Sequence, residues 1–193
     1  MSTGQQRRHR QAVLITLAAI LAGSVGFVVV KNRAARQDVE RGDASTWLVW
    51  VGGLFGAGVT LVDWFVRRDQ ALDRKSLAVG GTLFLIGLPV RIASRLALGR
   101  LYTPRLCILD DHQLITTGIY GIVRHPGYLG FLLWAVGLCI VLRSGWGLLA
   151  MLSAFLPGVL FRIQREEALL RRHFGAAYDR YASRTWRLIP FLY

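Results

Sequence analysis

Arg124, His125 and Pro126 stand in a row immediately before an apolar run, and Arg162, Glu166 and Glu167 close a later one. Proline suits the first turn of a helix, where its missing N–H would have no partner anyway. A helix opened by Pro126 turns the unpaired N–H groups of Gly127 and Tyr128 back toward Arg124 and His125. That is a natural seat for a carboxylate or phosphate. Pro126 also pushes His125 toward an extended backbone. In the plainer account, Arg124 snorkels to lipid phosphates and His125 caps the helix. Arg162 and Glu166 lie four apart, so an ordinary helical ion pair accounts for them. Glu166 and Glu167 point about 100° apart on a helix, so one is free to bind a ligand while the other satisfies an arginine. Titratable groups at the mouths of membrane helices are costly unless used, which marks a cofactor site at the membrane surface.

Five apolar segments position these groups: 12–30, 45–66, 77–98, 128–142 and 145–161. The first carries no charge over 19 residues, enough to cross about 30 Å of hydrocarbon. Asp63 lies near the end of the second, and Arg91 and Arg95 interrupt the last turns of the third. They either line a substrate path or, as helix-end charges, snorkel to the interface. Only Arg143 and Ser144 separate the last two segments, which predicts a tight antiparallel hairpin, both arms short for a perpendicular span. Gly52 and Gly56 form a GxxxG pair suited to close helix packing. A nucleotide-binding glycine loop would need a strand before it, and none is predicted. Residues 99–127 read as a connection with short amphipathic pieces. Residues 162–183 read as one helix, with Leu169, Leu170, Phe174 and Tyr178 sharing part of a face.

With 53% hydrophobic residues and a mean hydropathy of +0.41, the chain reads as an integral membrane protein rather than a soluble domain. The net charge of +13 comes from 24 Lys and Arg that lie mostly beside apolar segments. Anionic lipid headgroups therefore fit better than nucleic acid. Five spans with an inside C-terminus put 16 of the 24 basic residues on the cytoplasmic side, as the positive-inside rule asks. Arg7, Arg8 and Arg10 would then lie outside, a conflict that an even number of crossings would remove. Cys107 and Cys139 have no metal or redox spacing and read as small apolar residues. The fold expected is all-α: a polytopic bundle of about five transmembrane helices with a C-terminal cytoplasmic helix.

Taken together, the two polar clusters resemble a known family. Gly118, Tyr120, Arg124, His125, Pro126, Tyr128 and Gly130 precede the apolar hairpin; Arg162, Glu166, Glu167 and Leu170 follow it. Phe174, Gly175, Tyr178 and Tyr181, and then Ile189 and Pro190, complete the pattern over residues 114–190. In order, spacing and membrane context this is similar to the isoprenylcysteine carboxyl methyltransferases, which are related to the phospholipid methyltransferases. The resemblance implies a membrane methyltransferase using S-adenosylmethionine and a lipidic or apolar small acceptor. It places Tyr120, Arg124, His125, Pro126, Tyr128 and Glu167 at the cofactor, and Arg162 and, more weakly, Glu166 near the reacting groups. No metal is implied. It divides the chain into substrate-side membrane helices, 1–110, and a cofactor-binding region, 111–193.

A carboxylate acceptor needs no general base, since opposite charges annihilate as the methyl group transfers, and a low-dielectric site favours that loss. Catalysis then rests on orientation, which an arginine can supply. An amine acceptor, as in phospholipid N-methylation, would need a base, and Glu166, Glu167 and His125 all stand as candidates. Arg124 to Gly130 is also similar to sterol- and enone-type membrane reductases that use NADPH, although those carry nicotinamide-site motifs not found in these residues. A scaffold packed through its glycines is the non-enzymatic alternative.

Overall fold

The computed structural model describes residues 36–37, 44–67, 73–103, 106–109 and 112–193. The predicted segment 12–30 lies outside them, as do Pro104, Asp110 and Asp111. Residues 35–193 form one compact unit, and its elements are helical apart from one two-residue pairing. In chain order these are β1 (Arg36–Gln37), α1 (Ala44–Val66), α2 (Arg74–Leu98), β2 (Ile108–Leu109), α3 (Pro126–Val141), α4 (Gly145–Ala150), α5 (Leu156–Phe174) and α6 (Ala176–Ala182). Turns of 3-10 helix occupy Gly99–Leu101 and Gly118–Gly121, and a π-helical stretch, Met151–Phe155, joins α4 to α5. β1 and β2 pair antiparallel, Arg36 opposite Leu109 and Gln37 opposite Ile108.

Among the described residues, three helices are long and apolar enough to cross a membrane: Ala44–Val66, Arg74–Leu101 and the continuous rod Gly145–Phe174. α3 is apolar but has 16 residues, about 24 Å of helix against about 30 Å of hydrocarbon. The protein is thus an all-α integral membrane bundle. Of the five predicted apolar segments, four are helices here. The fifth of them is not short, because α5 continues past the apolar residues to Phe174.

Glycines decide which helices meet. A Cβ on Gly80 would lie 2.6 Å from the Gly137 carbonyl oxygen, and one on Gly137 would lie 2.6 Å from that of Gly80. Gly87 and Gly130 repeat this reciprocity one heptad away, at 2.6 and 2.7 Å. α2 and α3 therefore run antiparallel with their backbones in contact, an approach that only residues lacking Cβ permit. The predicted GxxxG pair serves the other interface. A Cβ on Gly52 would be 2.7 Å from the Ala154 carbonyl oxygen, and one on Gly56 would be 2.9 Å from Met151 Cε. α1 thereby lies against the π-helical stretch of the rod.

The two tight pairs, α2–α3 and α1–rod, meet through side chains. Phe131 and Phe155 stack across the seam with ring centroids 4.7 Å apart. At one end, Ser144 Oγ donates to Asp63 Oδ2 at 2.7 Å and accepts from the Gly147 N–H at 2.9 Å, capping α4. Arg67 pairs with the other Asp63 oxygen at 2.8 Å. Asp63 is thus a buried tie between α1 and the hairpin turn. The opposite end of the seam gathers the polar clusters singled out from the sequence.

The helix expected over 162–183 is interrupted. Gly175 takes φ +51°, a left-handed value that glycine adopts at no steric cost, and α5 stops there. α6 then carries Tyr178 back, buried, beside the rod. Helical periodicity runs unbroken through Gly175, so the pattern alone conceals this turn.

Candidate functional site

Pro126 occupies the first turn of α3, as its missing N–H favours. His125 before it has φ −123° and ψ 56°, so only its φ is extended. Its carbonyl turns to accept from Leu129 N at 3.1 Å, while its N–H donates to the Arg187 carbonyl at 3.2 Å. Its side chain makes no capping hydrogen bond. The C-terminal segment lies along this loop: Arg124 N donates to Trp186 O at 2.8 Å, and Trp186 N to Ile122 O at 3.0 Å. A short parallel bridge between Val123 and Trp186 records the same contact.

Arg124 does not snorkel. Its Nε donates to Glu167 Oε1 at 2.9 Å, and its Nη1 to the carbonyls of Ala182, at 2.7 Å, and Thr185. His125 Nε2 stands 3.4 Å from the same Glu167 oxygen. Arg187 Nη2 donates to Glu167 Oε2 at 2.7 Å. Glu167, 2% exposed, therefore spends both oxygens on three cationic or ionisable partners. These partners supply the positive charge and hydrogen bonds that a buried carboxylate needs.

Glu166 and Arg162 are joined through a phenol. Arg162 Nε donates to Tyr128 Oη at 3.1 Å, and Tyr128 donates onward to Glu166 Oε2 at 3.1 Å. Arg162 Nη1 also donates to Ser45 Oγ at 3.3 Å and to Thr46 Oγ1. This buried arginine joins α1, α3 and α5 at one point.

Tyr120 sits one layer behind. Its hydroxyl reaches the Ser94 carbonyl at 3.4 Å, and its own carbonyl accepts from Tyr181 Oη at 2.8 Å. Burial raises the Tyr120 and Tyr178 phenols well above the usual range and pushes Tyr181 up to about 12. All three stay neutral at any working pH. Among the described residues, two buried polar atoms near Glu167 have no hydrogen-bond partner: Arg187 Nε and Tyr178 Oη.

The structure thus brings Tyr120, Arg124, His125, Pro126, Tyr128, Arg162, Glu166 and Glu167 into one region at the end of the seam. It adds Arg187, Ser45 and Thr46, which the sequence reading passed over. Arg187 lies outside any periodic pattern, and only its partner across the fold gives it meaning. Ser45 and Thr46, two hydroxyls opening an apolar run, were the one local hint.

Residues 79–172 match the model of the isoprenylcysteine carboxyl methyltransferase (ICMT) family. The chain resembles this family in sequence and in fold. A probable protein-S-isoprenylcysteine O-methyltransferase of Oryza sativa subsp. indica is 37% identical over 116 residues, covering 59% of this chain and 61% of that one. Protein-S-isoprenylcysteine O-methyltransferase B of Arabidopsis thaliana is 34% identical over 115 residues, covering 58% of each. The solved eukaryotic intramembrane Ras methyltransferase ICMT superposes with a TM-score of 0.62 at 27% identity, covering 72% of this chain and 52% of that one. The chain therefore spans about three fifths of these curated relatives and about half of the solved one. The family match begins inside α2 and ends inside α5, so it takes in the α2–α3 pair and both polar clusters but stops short of Arg187.

Proposed function

We propose that this protein is an integral membrane methyltransferase that uses S-adenosylmethionine to methylate a carboxylate on a lipid-like acceptor, with its cofactor site on the cytoplasmic side. The observation that carries the reading is the joining of both polar clusters at one end of the seam, within the region that resembles the ICMT family.

The residues present suit a zwitterionic cofactor. Arg187 Nε is a buried donor with no acceptor among the described residues, as a carboxylate would need. Glu166 offers its second oxygen to an ammonium, its first being held by Tyr128. Arg124, His125 and Arg187, fixed on Glu167, supply positive charge beside the start of α3. Tyr120 backs this wall, and Pro126 sets the helix start. When bound, S-adenosylmethionine supplies a methyl group on a sulfonium, which passes to a carboxylate oxygen while the broken C–S bond leaves its electron pair on sulfur.

A carboxylate acceptor releases no proton on becoming an ester, so this chain needs no general base. Its residues have to orient and to exclude water. Arg162, locked by Tyr128, Ser45 and Thr46, is the fixed charge beside the reacting groups. Glu166 acts on it through Tyr128. The helices before residue 110 supply the acceptor side.

Calorimetry of S-adenosylmethionine on detergent-purified protein, with NADPH run in parallel, tests the reading. Saturable binding by the first, followed by methylation of an isoprenylcysteine carboxylate, is the expected result. Binding of NADPH alone would overturn it.

A further inference from the structure

We infer that Arg91 is a positioning residue that captures the acceptor's carboxylate where the two helix pairs meet, an inference that rests on the proposed methyl transfer to a lipid-like carboxylate. Arg91 lies within a membrane-spanning helix, where an uncompensated cation is costly and marks function. Its backbone abuts α3: a Cβ on Gly130 would be 2.6 Å from Arg91 N. Its guanidinium lies over the Phe131 ring, 4.8 Å from the centroid. Among the described residues it has no hydrogen-bond acceptor and no carboxylate partner. Arg124, Arg162 and Arg187, by contrast, are all tied to oxygens.

The placement is specific. Phe131 is the ring that crosses the seam to stack on Phe155, so a cation on its face stands at the junction of the two helix pairs. Tyr128, which bridges Arg162 and Glu166, is one helical turn before Phe131 on α3. A cation–π contact uses only the flat face of a guanidinium. Its five N–H groups point outward in the plane, matched to a carboxylate. An anion carried on a lipid chain therefore meets free donors beside an aromatic wall, one turn from the polar cluster. Esterification removes the charge that Arg91 holds, so the product loses its tether and the acid is favoured over the ester at entry.

The test uses N-acetyl-S-farnesylcysteine and its methyl ester with the full chain in a neutral detergent, comparing wild type, Arg91→Gln and Arg91→Lys. S-adenosylmethionine binding confirms that each variant is folded. The expected result for Arg91→Gln is a KM raised on the order of tenfold, with kcat within about twofold, as loss of a charged hydrogen bond to substrate predicts. The preference for acid over ester should fall by a similar factor, and Arg91→Lys should lie between. A merely structural arginine would not move the acid-to-ester ratio. If KM and that ratio are unchanged in Arg91→Gln while wild type turns over, the inference is overturned and the proposed function stands. If wild type neither methylates the acid nor prefers it over the ester, both fall. If the variants part only when phosphatidylglycerol is added, Arg91 serves a lipid phosphate, which also overturns the inference. Should Arg91→Gln fail to fold, Arg91→Lys decides: KM and ratio equal to wild type overturn the inference, and an intermediate shift supports it.

Discussion

Arg187 donates to Glu167 Oε2 at 2.7 Å, while the backbone of the same arginine accepts from His125 N at 3.2 Å. One residue of the C-terminal segment thus holds both the end of the rod and the start of α3. The joining of two stretches that come from distant parts of the chain depends on it. Because Arg124 grips the other Glu167 oxygen and the Ala182 and Thr185 carbonyls, the segment is secured from both sides.

Glu167 is therefore expected to matter for the fold as well as for any ligand. Glu167→Gln leaves Arg124 and Arg187 facing an amide that cannot balance their charge. Removing one partner of a buried ion pair costs about 3–5 kcal/mol. The expected outcome is a clear fall in Tm together with weaker S-adenosylmethionine binding. Arg187→Ala should move both in the same direction by less, because Arg187 is 29% exposed and Arg124 still holds Glu167. Thermal unfolding in detergent beside calorimetry checks this; equal Tm values in wild type and Glu167→Gln would contradict it.

Tyr128 separates function from stability. Tyr128→Phe keeps the ring beside His125 but removes the oxygen that joins Arg162 to Glu166. The net loss of stability is expected to be about 1 kcal/mol, since Arg162 retains Ser45 and Thr46. Methyl transfer should fall on the order of tenfold or more, because Arg162 loses the bond that orients its Nε and Glu166 loses its link to it. Single-turnover rates at saturating cofactor measure the effect. An unchanged rate would place this chain of hydrogen bonds outside the chemistry.

How far the sequence foretold these contacts depended on their range. The start of α3 was legible because proline at a first helical turn is a local rule, and Pro126 obeys it. The two polar clusters were legible as residue types, and resemblance to a family joined them. The break at Gly175 was hidden because apolar periodicity continues across it, and only the left-handed φ reveals the turn. Arg187 was not legible at all: nothing in its neighbourhood distinguishes it, and its role arises from Glu167 across the fold. Glycine spacing fell between these cases. Gly80 and Gly87, and Gly130 and Gly137, are each seven apart in sequence, but which pair faces which follows only from the antiparallel register.

That register yields a test of the helix packing. Gly87→Ala would put a Cβ 2.5 Å from Trp134 N and 2.6 Å from the Gly130 carbonyl oxygen, both backbone atoms that cannot step aside. The helices must separate, and overpacking of this kind costs about 1–3 kcal/mol. Gly58→Ala, in α1, meets nothing within 4 Å and should keep or raise Tm, since alanine favours a helix by about 1 kcal/mol over glycine. If the two substitutions lowered Tm equally, the close α2–α3 contact would be refuted.

The buried tyrosines set the alkaline limit. Tyr181 donates to the Tyr120 carbonyl, and burial pushes its phenol up to about 12, against an ordinary value of 10.0. In the folded protein it stays protonated where the unfolded chain has begun to ionise. The native state then binds more protons than the unfolded state, so stability is fully present below about pH 10 and declines as pH rises from there toward 12. Tyr120 and Tyr178 are raised from the same value by burial and add to this slope. Tyr181→Phe removes one ionisable group and one hydrogen bond. It should lower Tm at pH 8, by an amount equivalent to about 1 kcal/mol, and flatten the fall above pH 10. Tm measured from pH 8 to 11 in both proteins reads the two effects separately. Parallel curves would mean that Tyr181 ionises alike in the folded and unfolded states, and that burial and its bond to Tyr120 do not hold its proton.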